Sequence, residues 1–147
     1  MSFKFRYEAL LKYRGHIKEK AEIDLSRAQN KLRLDKEHLS NNKKALIKAN
    51  QNLDSDLRAT ITSSMLQAHS EHIMILKLQI EAGKVEIYNS DKIVQEKLKI
   101  LQKITIQYKI IEKLREKDYK KWNQKQNYLE QKEMDEIAIL RYGKDFL

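Results

Sequence analysis

The chain has 147 residues, of which 35% are charged and 7% aromatic, and its formal net charge at pH 7 is +9. It contains three glycines, no proline and no cysteine, so it lacks the turn residues of a globular domain and any disulfide, thiol nucleophile or thiolate metal site. The positive net charge favours a negatively charged partner: an acidic protein surface, nucleic acid or anionic lipid.

The first half of the chain carries leucines at seven-residue spacing, a pattern that predicts a helix with one apolar seam against a partner helix. These leucines are Leu25, Leu32, Leu39, Leu46 and Leu53. Asp35 and Asn42 are polar at the companion seam position, where polar groups lower stability but fix the register. We predict that this helix runs from about Tyr7 to about Thr60.

The helical pattern breaks at residues 60–64, where β-branched and hydroxyl residues cluster and charged residues are absent. Ser64 and Gln67 have the spacing of a capping box, in which the serine oxygen and the glutamine side chain satisfy backbone N–H groups at a helix start. We therefore place a turn at about residues 61–64.

The second half carries its own seven-residue repeat, interrupted only at Arg115. Its members are Ile73, Ile80, Ile87, Val94, Leu101, Tyr108, Trp122 and Leu129. This repeat predicts a second helix from about Met65 to about Tyr142, with Gly143 as its stop.

Two long amphipathic helices joined by a short turn predict an all-α fold, an antiparallel coiled-coil hairpin that forms one unit over residues 1–147, with the C-terminal helix longer. Fold-back near residues 62–63 would place Phe3 beside Trp122, and roughly 20 residues beyond would stand as a single helix. That segment still carries apolar residues, namely Tyr128, Leu129, Met134, Ile137 and Leu140. Most helix stability comes from packing, so we expect this segment either to fray or to be covered by a second copy or by a different protein.

The open end of this hairpin, where the two chain termini lie, is basic on both helices. The basic residues there are Lys4, Arg6, Lys12, Arg14, Lys113, Arg115, Lys117, Lys120, Lys121 and Lys125. Three interpretations of these charges are open: a solvated face without a partner, a contact for an acidic protein socket, or a site for nucleic acid or lipid.

Catalytic and metal chemistry find little support in the sequence. His69 and His72 share a helix face, but metal sites use three or four ligands and no third is evident. There is no glycine-rich phosphate loop. We expect no catalytic residue, no metal, no cofactor and no small-molecule substrate. No apolar run approaches the roughly 20 residues of a membrane span, and residues 1–14 do not resemble a secretory signal, so we expect a cytoplasmic protein.

Both ends of the chain resemble the FliJ family of flagellar export proteins. Residues 3–14 read FKFRYEALLKYR, which resembles the family's opening pattern of alternating aromatic and basic residues followed by leucines and an arginine. Residues 130–138 read EQKEMDEIA, which resembles its closing signature. The length and the mid-chain break are similar as well, so the resemblance spans the chain.

The resemblance implies a non-catalytic stalk that is similar to the central stalk of rotary ATPases. Family members insert their open end into the ring of the flagellar type III export ATPase, promote ring assembly, contact the large membrane protein of the export gate and escort export chaperones. By this resemblance the partners are the ATPase ring and its regulator, the cytoplasmic domain of the gate protein and the chaperones. The protein would lie in the cytoplasm, peripherally on the inner membrane at the flagellar base.

The family motifs and the basic residues together predict the ring-binding positions. They are Phe3, Phe5, Arg6, Leu10, Arg14, Lys120, Lys121, Lys125, Lys132, Met134, Asp135 and Glu136. The family's gate-binding surface lies on the turn-proximal half and includes aromatic and aliphatic side chains. The corresponding candidate face here is His38, Asn42, Ala45 and Ala49, few of which match that pattern.

The function predicted from sequence is a stalk-like adaptor of a type III export ATPase, flagellar rather than virulence-associated. Two alternatives remain open at this point. One is a basic helical hairpin that binds nucleic acid or anionic membrane, for which a steep salt dependence of RNA binding would be diagnostic. The other is a self-assembling structural coiled coil, which would form a stable dimer without partners.

Overall fold

The computed structural model describes the chain from Ser2 to Asp145 and contains two helices, α1 at Glu8–Arg58 and α2 at Ser63–Asp145. The predicted all-α hairpin with a longer C-terminal helix is confirmed, since α1 has 51 residues and α2 has 83. Helices of this length are possible because the chain has no proline to remove an N–H donor. Gly143 does not end α2, which continues to Asp145.

The start of α2 differs from the prediction. Thr62 is the N-cap residue, because its side-chain oxygen accepts a hydrogen bond from the backbone N–H of Met65 at 3.2 Å. The expected capping box at Ser64 is therefore wrong: Ser64 already lies in the first turn of α2, and the Gln67 side chain donates instead to Glu71 at 3.3 Å.

The helices pair within two compact units. The second unit, Lys20–Gln102, contains the turn and a small apolar core of Ala49, Ile73 and Leu76. Further along α2 in the same unit, Ser90 is buried and its hydroxyl donates a hydrogen bond to the Asp35 carboxylate. Near the turn, His69 Nε2 lies 2.7 Å from Asp56 Oδ2. Asp35 and Asp56 follow each other along α1, while their partners Ser90 and His69 occur in the reverse order along α2. The two helices of this unit are therefore antiparallel.

The first unit combines the segment through Glu19 with the segment from Lys103 onwards. Its helices are also antiparallel, because Glu8 accepts a hydrogen bond from Arg115 at 3.0 Å while Arg14 donates to Gln107. Gly15 faces the Tyr108 ring, whose Cε2 would lie 3.5 Å from an added Cβ, an ordinary contact distance. Lys18 places its ammonium 5.0 Å from the centroid of that ring.

The predicted seam is present along most of the chain. Ile73, Ile80 and Val94 are buried, and the five leucines of the α1 repeat are buried or half-buried, as expected for the narrow contact between two helices. Leu129 is the exception, with 42% of its surface exposed. It lies seven residues beyond Trp122, which is already in contact with Phe3 near the chain's start.

Candidate partner-binding site

An aromatic cluster fixes the start of the chain to α2. The Phe3 ring lies 5.3 Å from that of Tyr119 and 5.9 Å from that of Trp122, in edge and tilted geometries that aromatic pairs favour. Phe5 is 7% exposed and its ring lies 5.8 Å from that of Tyr7. Phe3 therefore holds the start of the chain against α2 and is half-buried there, and Phe5 is buried, so neither side chain is fully exposed to a partner.

The other N-terminal positions predicted for ring binding differ in their exposure. Arg6 is exposed, with its guanidinium carbon 5.5 Å from the centroid of the Tyr7 ring. Leu10 is half-buried, and Arg14 is half-buried with its Nε atom enclosed and without a hydrogen-bond partner. Of the N-terminal positions predicted for ring binding, Arg6 is thus the one fully accessible to a partner.

Lys120, Lys121 and Lys125 are all exposed beside this aromatic cluster. The segments 2–19 and 103–125, which we call the basic collar, contain thirteen lysines and arginines against five aspartates and glutamates. Most of the chain's formal charge of +9 is therefore concentrated in the collar. Such a concentration favours an acidic partner at this end, with a contribution that falls as salt increases.

Beyond the collar, α2 continues as a segment in which every residue from Asn127 to Gly143 is exposed. We call residues 127–143 the tail. It includes four of the predicted ring-binding positions, namely Lys132, Met134, Asp135 and Glu136. Seven large apolar side chains are exposed in it, namely Tyr128, Leu129, Met134, Ile137, Ile139, Leu140 and Tyr142. Contiguous apolar exposure on this scale is characteristic of a surface that binds another protein.

The apolar side chains of the tail are distributed around the helix. Successive residues of an α-helix are rotated by about 100°, so Tyr128, Leu140 and Met134 point in directions about 120° apart. Their exposed fractions are 64%, 67% and 71%. A flat surface can cover one of these three directions, whereas a concave socket covers all of them. The tail is therefore suited to insertion.

The candidate gate face is mostly internal. Ala49 is 4% exposed within the apolar core, Ala45 packs against that core, and Asn42 is half-buried with its Nδ2 atom enclosed and without a hydrogen-bond partner. His38 is the exposed member of this set.

A second apolar surface of the same unit was missed by sequence reasoning. Met74, Leu78, Val85 and Tyr88, which we call the apolar stripe, have exposed fractions of 65%, 64%, 59% and 70%. Successive members are four, seven and three residues apart, which is the spacing of the seam residues. The stripe begins at Met74, one residue after the seam residue Ile73. A search for a second heptad phase would have found them, because the stripe and the seam have the same period.

The described residues offer little for catalysis or metal binding. Among them, no three histidine, aspartate or glutamate side chains are close enough together to hold a metal ion. One surface depression, about 400 Å³, is a shallow groove between side chains of α1 such as Leu32 and Lys36. Neither helix has, within its described residues, a stretch long and apolar enough to cross a bilayer.

Comparison with known families agrees with these features. The model of the family described as flagellar FliJ protein matches residues 3–145, nearly the entire chain. The chain belongs to the FliJ family. FliJ proteins are non-catalytic components of flagellar export, so this is a flagellar export-related protein that interacts with the export apparatus. No curated protein and no solved structure matches the chain.

Proposed function

We propose that this FliJ-family chain is the stalk of the flagellar export ATPase complex, with its open end docked inside the ATPase ring. The exposure of apolar side chains around the whole tail carries this proposal, because only a surrounding socket buries all of them. Each large apolar side chain that is fully buried contributes roughly 1.5–3 kcal/mol. Insertion of the tail therefore supplies most of the affinity.

The basic collar adds electrostatic attraction for an acidic rim on the ring. Lys120, Lys121 and Lys125 are exposed beside the point where Phe3 packs on Trp122. Exposed charge pairs contribute roughly 0.2–1 kcal/mol each and are screened by salt, so the collar chiefly accelerates and orients docking. A stalk bound by several ring subunits at once also favours ring assembly.

The second unit contacts the cytoplasmic domain of the export gate in this proposal. The predicted face of His38, Asn42, Ala45 and Ala49 offers one exposed side chain, whereas the apolar stripe is aliphatic and aromatic and is exposed throughout. We therefore assign the gate contact to the apolar stripe, with His38 as the accessible member of the predicted face. Escort of export chaperones and a position in the cytoplasm, peripheral to the inner membrane at the flagellar base, belong to the same role.

The ring contact is tested by measuring binding of the full chain to the purified export ATPase and its regulator. A chain that stops after Gln126 should lose detectable binding. The triple variant Lys120→Glu/Lys121→Glu/Lys125→Glu should bind about tenfold more weakly at low salt and approach wild type at high salt. A matched control reverses the same number of charges at Lys43, Lys44 and Lys48, which are exposed on α1 in the second unit. Equal binding by the truncated and complete chains would exclude docking through the tail.

The gate contact is tested separately with Leu78→Ser/Val85→Ser. Both side chains are exposed, so the variant keeps its fold. We expect it to lose binding to the gate's cytoplasmic domain while it keeps ring binding. Loss of both activities would indicate a folding defect, which circular dichroism would reveal, and retained gate binding would move the contact away from the apolar stripe.

A further inference from the structure

One face of α2 in the first unit combines exposed aliphatic and basic side chains. Ile106 and Ile110 are each 60% exposed, and Lys103, Lys113 and Lys117 flank them along the helix. We call these five residues the lysine–isoleucine face. At about 100° per residue, both isoleucines point roughly 160° away from Tyr108, the residue that contacts Gly15 of α1. The face is therefore turned away from the helix pair.

The three lysines have no partner within the described part of the chain. Lys103, Lys113 and Lys117 take part in no ion pair or hydrogen bond there. By contrast, Lys84 on α2 of the second unit pairs with Glu81 at 3.0 Å. The nearby acidic residues form no ion pair with these lysines in the described part of the chain: Glu112 and Asp118 are half-buried, and Glu116 is exposed but not paired with them. Three lysines without an ion-pair partner thus flank two exposed aliphatic side chains.

We infer that the lysine–isoleucine face binds an acidic amphipathic helix of a partner protein, which packs as a third helix beside α2. The spacing of the five residues follows the three- and four-residue steps of a coiled-coil seam, so a helix with aliphatic residues at matching steps interdigitates with Ile106 and Ile110. Glutamates that flank the partner's seam reach the lysines. The face is charge-complementary to that helix.

Charge and shape together favour a helix over other anionic partners. Nucleic acid backbones attract lysines but leave aliphatic side chains in water. A membrane surface requires a broad apolar face with aromatic or leucine side chains, and two isoleucines one turn apart are a small area for insertion. The bound helix covers both the charge and the isoleucines. Because the contact is small and its charges are exposed, the complex is weak and salt-dependent.

This contact does not depend on ring docking. Ile110 lies twelve residues before Trp122, which is about 18 Å along a helix, so a third helix here leaves the tail accessible. Lys103, Lys113 and Lys117 belong to the basic collar, so their reversal also reduces the electrostatic attraction for the ring. The two proposals can still fail separately: a chain without the tail should still bind the third helix, and Ile106→Ser/Ile110→Ser, which keeps every charge of the collar, should still insert its tail.

The test measures binding of a labelled synthetic amphipathic peptide, with isoleucine and leucine along one face and glutamate on both flanks, to the full chain. Lys103→Glu/Lys113→Glu/Lys117→Glu should weaken binding at least about tenfold, and the matched reversal at Lys43, Lys44 and Lys48 should change it less than about twofold. Ile106→Ser/Ile110→Ser should also weaken binding about tenfold but leave its salt dependence unchanged. Circular dichroism verifies that each variant is folded.

Three results would overturn the inference. The first is equal weakening by the two charge-reversal variants, which would reduce the contact to non-specific attraction. The second is unchanged binding when both isoleucines are replaced. The third is preferential binding of the lysine–isoleucine face to RNA or to vesicles with anionic lipid, measured with the same variants.

Discussion

The Ser90 hydroxyl donates a hydrogen bond to the Asp35 carboxylate across the paired helices of the second unit. Lys31 joins the same group, since its ammonium lies 3.1 Å from Asp35 Oδ2 and 3.2 Å from Ser90 Oγ. Ser90 is 2% exposed. A buried hydroxyl needs a partner, so this pair specifies which residue of α2 lies opposite Asp35.

The first prediction concerns the pH dependence that this pair produces. The Ser90 hydrogen bond, together with Lys31, lowers the pKa of Asp35 below its ordinary value. A carboxyl group whose pKa is lower in the folded state contributes stability above its unfolded pKa, and this contribution is lost as the pH falls through the lowered value. Asp35→Asn should therefore destabilise the hairpin by about 1 kcal/mol at neutral pH, and the difference from wild type should shrink in acid.

Urea denaturation of both proteins between neutral and acidic pH measures this difference. Asp54→Asn serves as the control, because Asp54 is exposed on the same helix. A constant difference between wild type and Asp35→Asn at every pH would show that the carboxylate charge plays no part.

The second prediction uses the absence of native cysteine to test the helix register. A Cβ atom built on Gly83 lies 3.7 Å from Leu39 Cβ, within the range that disulfides require. Leu39→Cys/Gly83→Cys should form an intramolecular disulfide in air and raise stability by about 4 kcal/mol or less, the chain-entropy estimate for a loop of this length. Mass spectrometry without reductant detects the bond. The shifted pair Leu39→Cys/Lys84→Cys should remain reduced, and its ready oxidation would indicate a sliding register.

The third prediction concerns the two glycines inside paired helices. An added Cβ at Gly15 would lie 3.5 Å from Tyr108 Cε2, an ordinary contact, whereas one at Gly83 would lie 3.3 Å from Leu39 Cδ1, a tight one. Alanine is favoured over glycine in helices by about 1 kcal/mol. Gly15→Ala should therefore raise the melting temperature more than Gly83→Ala. The opposite order in thermal denaturation would contradict the packing described for these sites.

The fourth prediction separates the tail from the folded hairpin. Because every residue of the tail is exposed, a chain that stops after Gln126 should keep its free energy of unfolding within about 0.5 kcal/mol. Phe5→Ala, which removes a side chain that is only 7% exposed, should cost about 3 kcal/mol. Urea denaturation compares the three proteins. A clear loss of stability on truncation would mean that the tail packs against the hairpin in solution.

The sequence predicted the helices, the turn and the unequal lengths because the heptad period reports directly on helix pairing. Seam residues such as Ile73 and Ile80 are buried as expected. Leu129 has the same period but is exposed, because the chain's start already packs at Trp122 and the repeat does not show where the partner helix ends. The seven-residue repeat therefore predicts burial of a residue only where a partner helix lies opposite it.

It was harder to predict from the sequence which of two apolar helix faces packs inside the hairpin and which is exposed. Ala45 and Ala49 belong to the core region of the second unit, while Met74 and Leu78 are exposed beside it. Both sets have helical spacing. Alanine is small enough for either the core or the surface, so its presence does not indicate whether that helix face is buried or exposed. The aromatic–basic motif posed a similar problem, since whether Phe5 faces a partner or the chain's own α2 depends on tertiary packing. The cap at Thr62 was missed because Ser64 offers an equally suitable hydroxyl.

The exposed tail also has a consequence for the amount of this protein that a cell can maintain. Unshielded hydrophobic helices are targets for chaperones and proteases, so molecules made in excess of their binding sites would be degraded first. The supply of the protein would then adjust to the number of export complexes without a dedicated regulator.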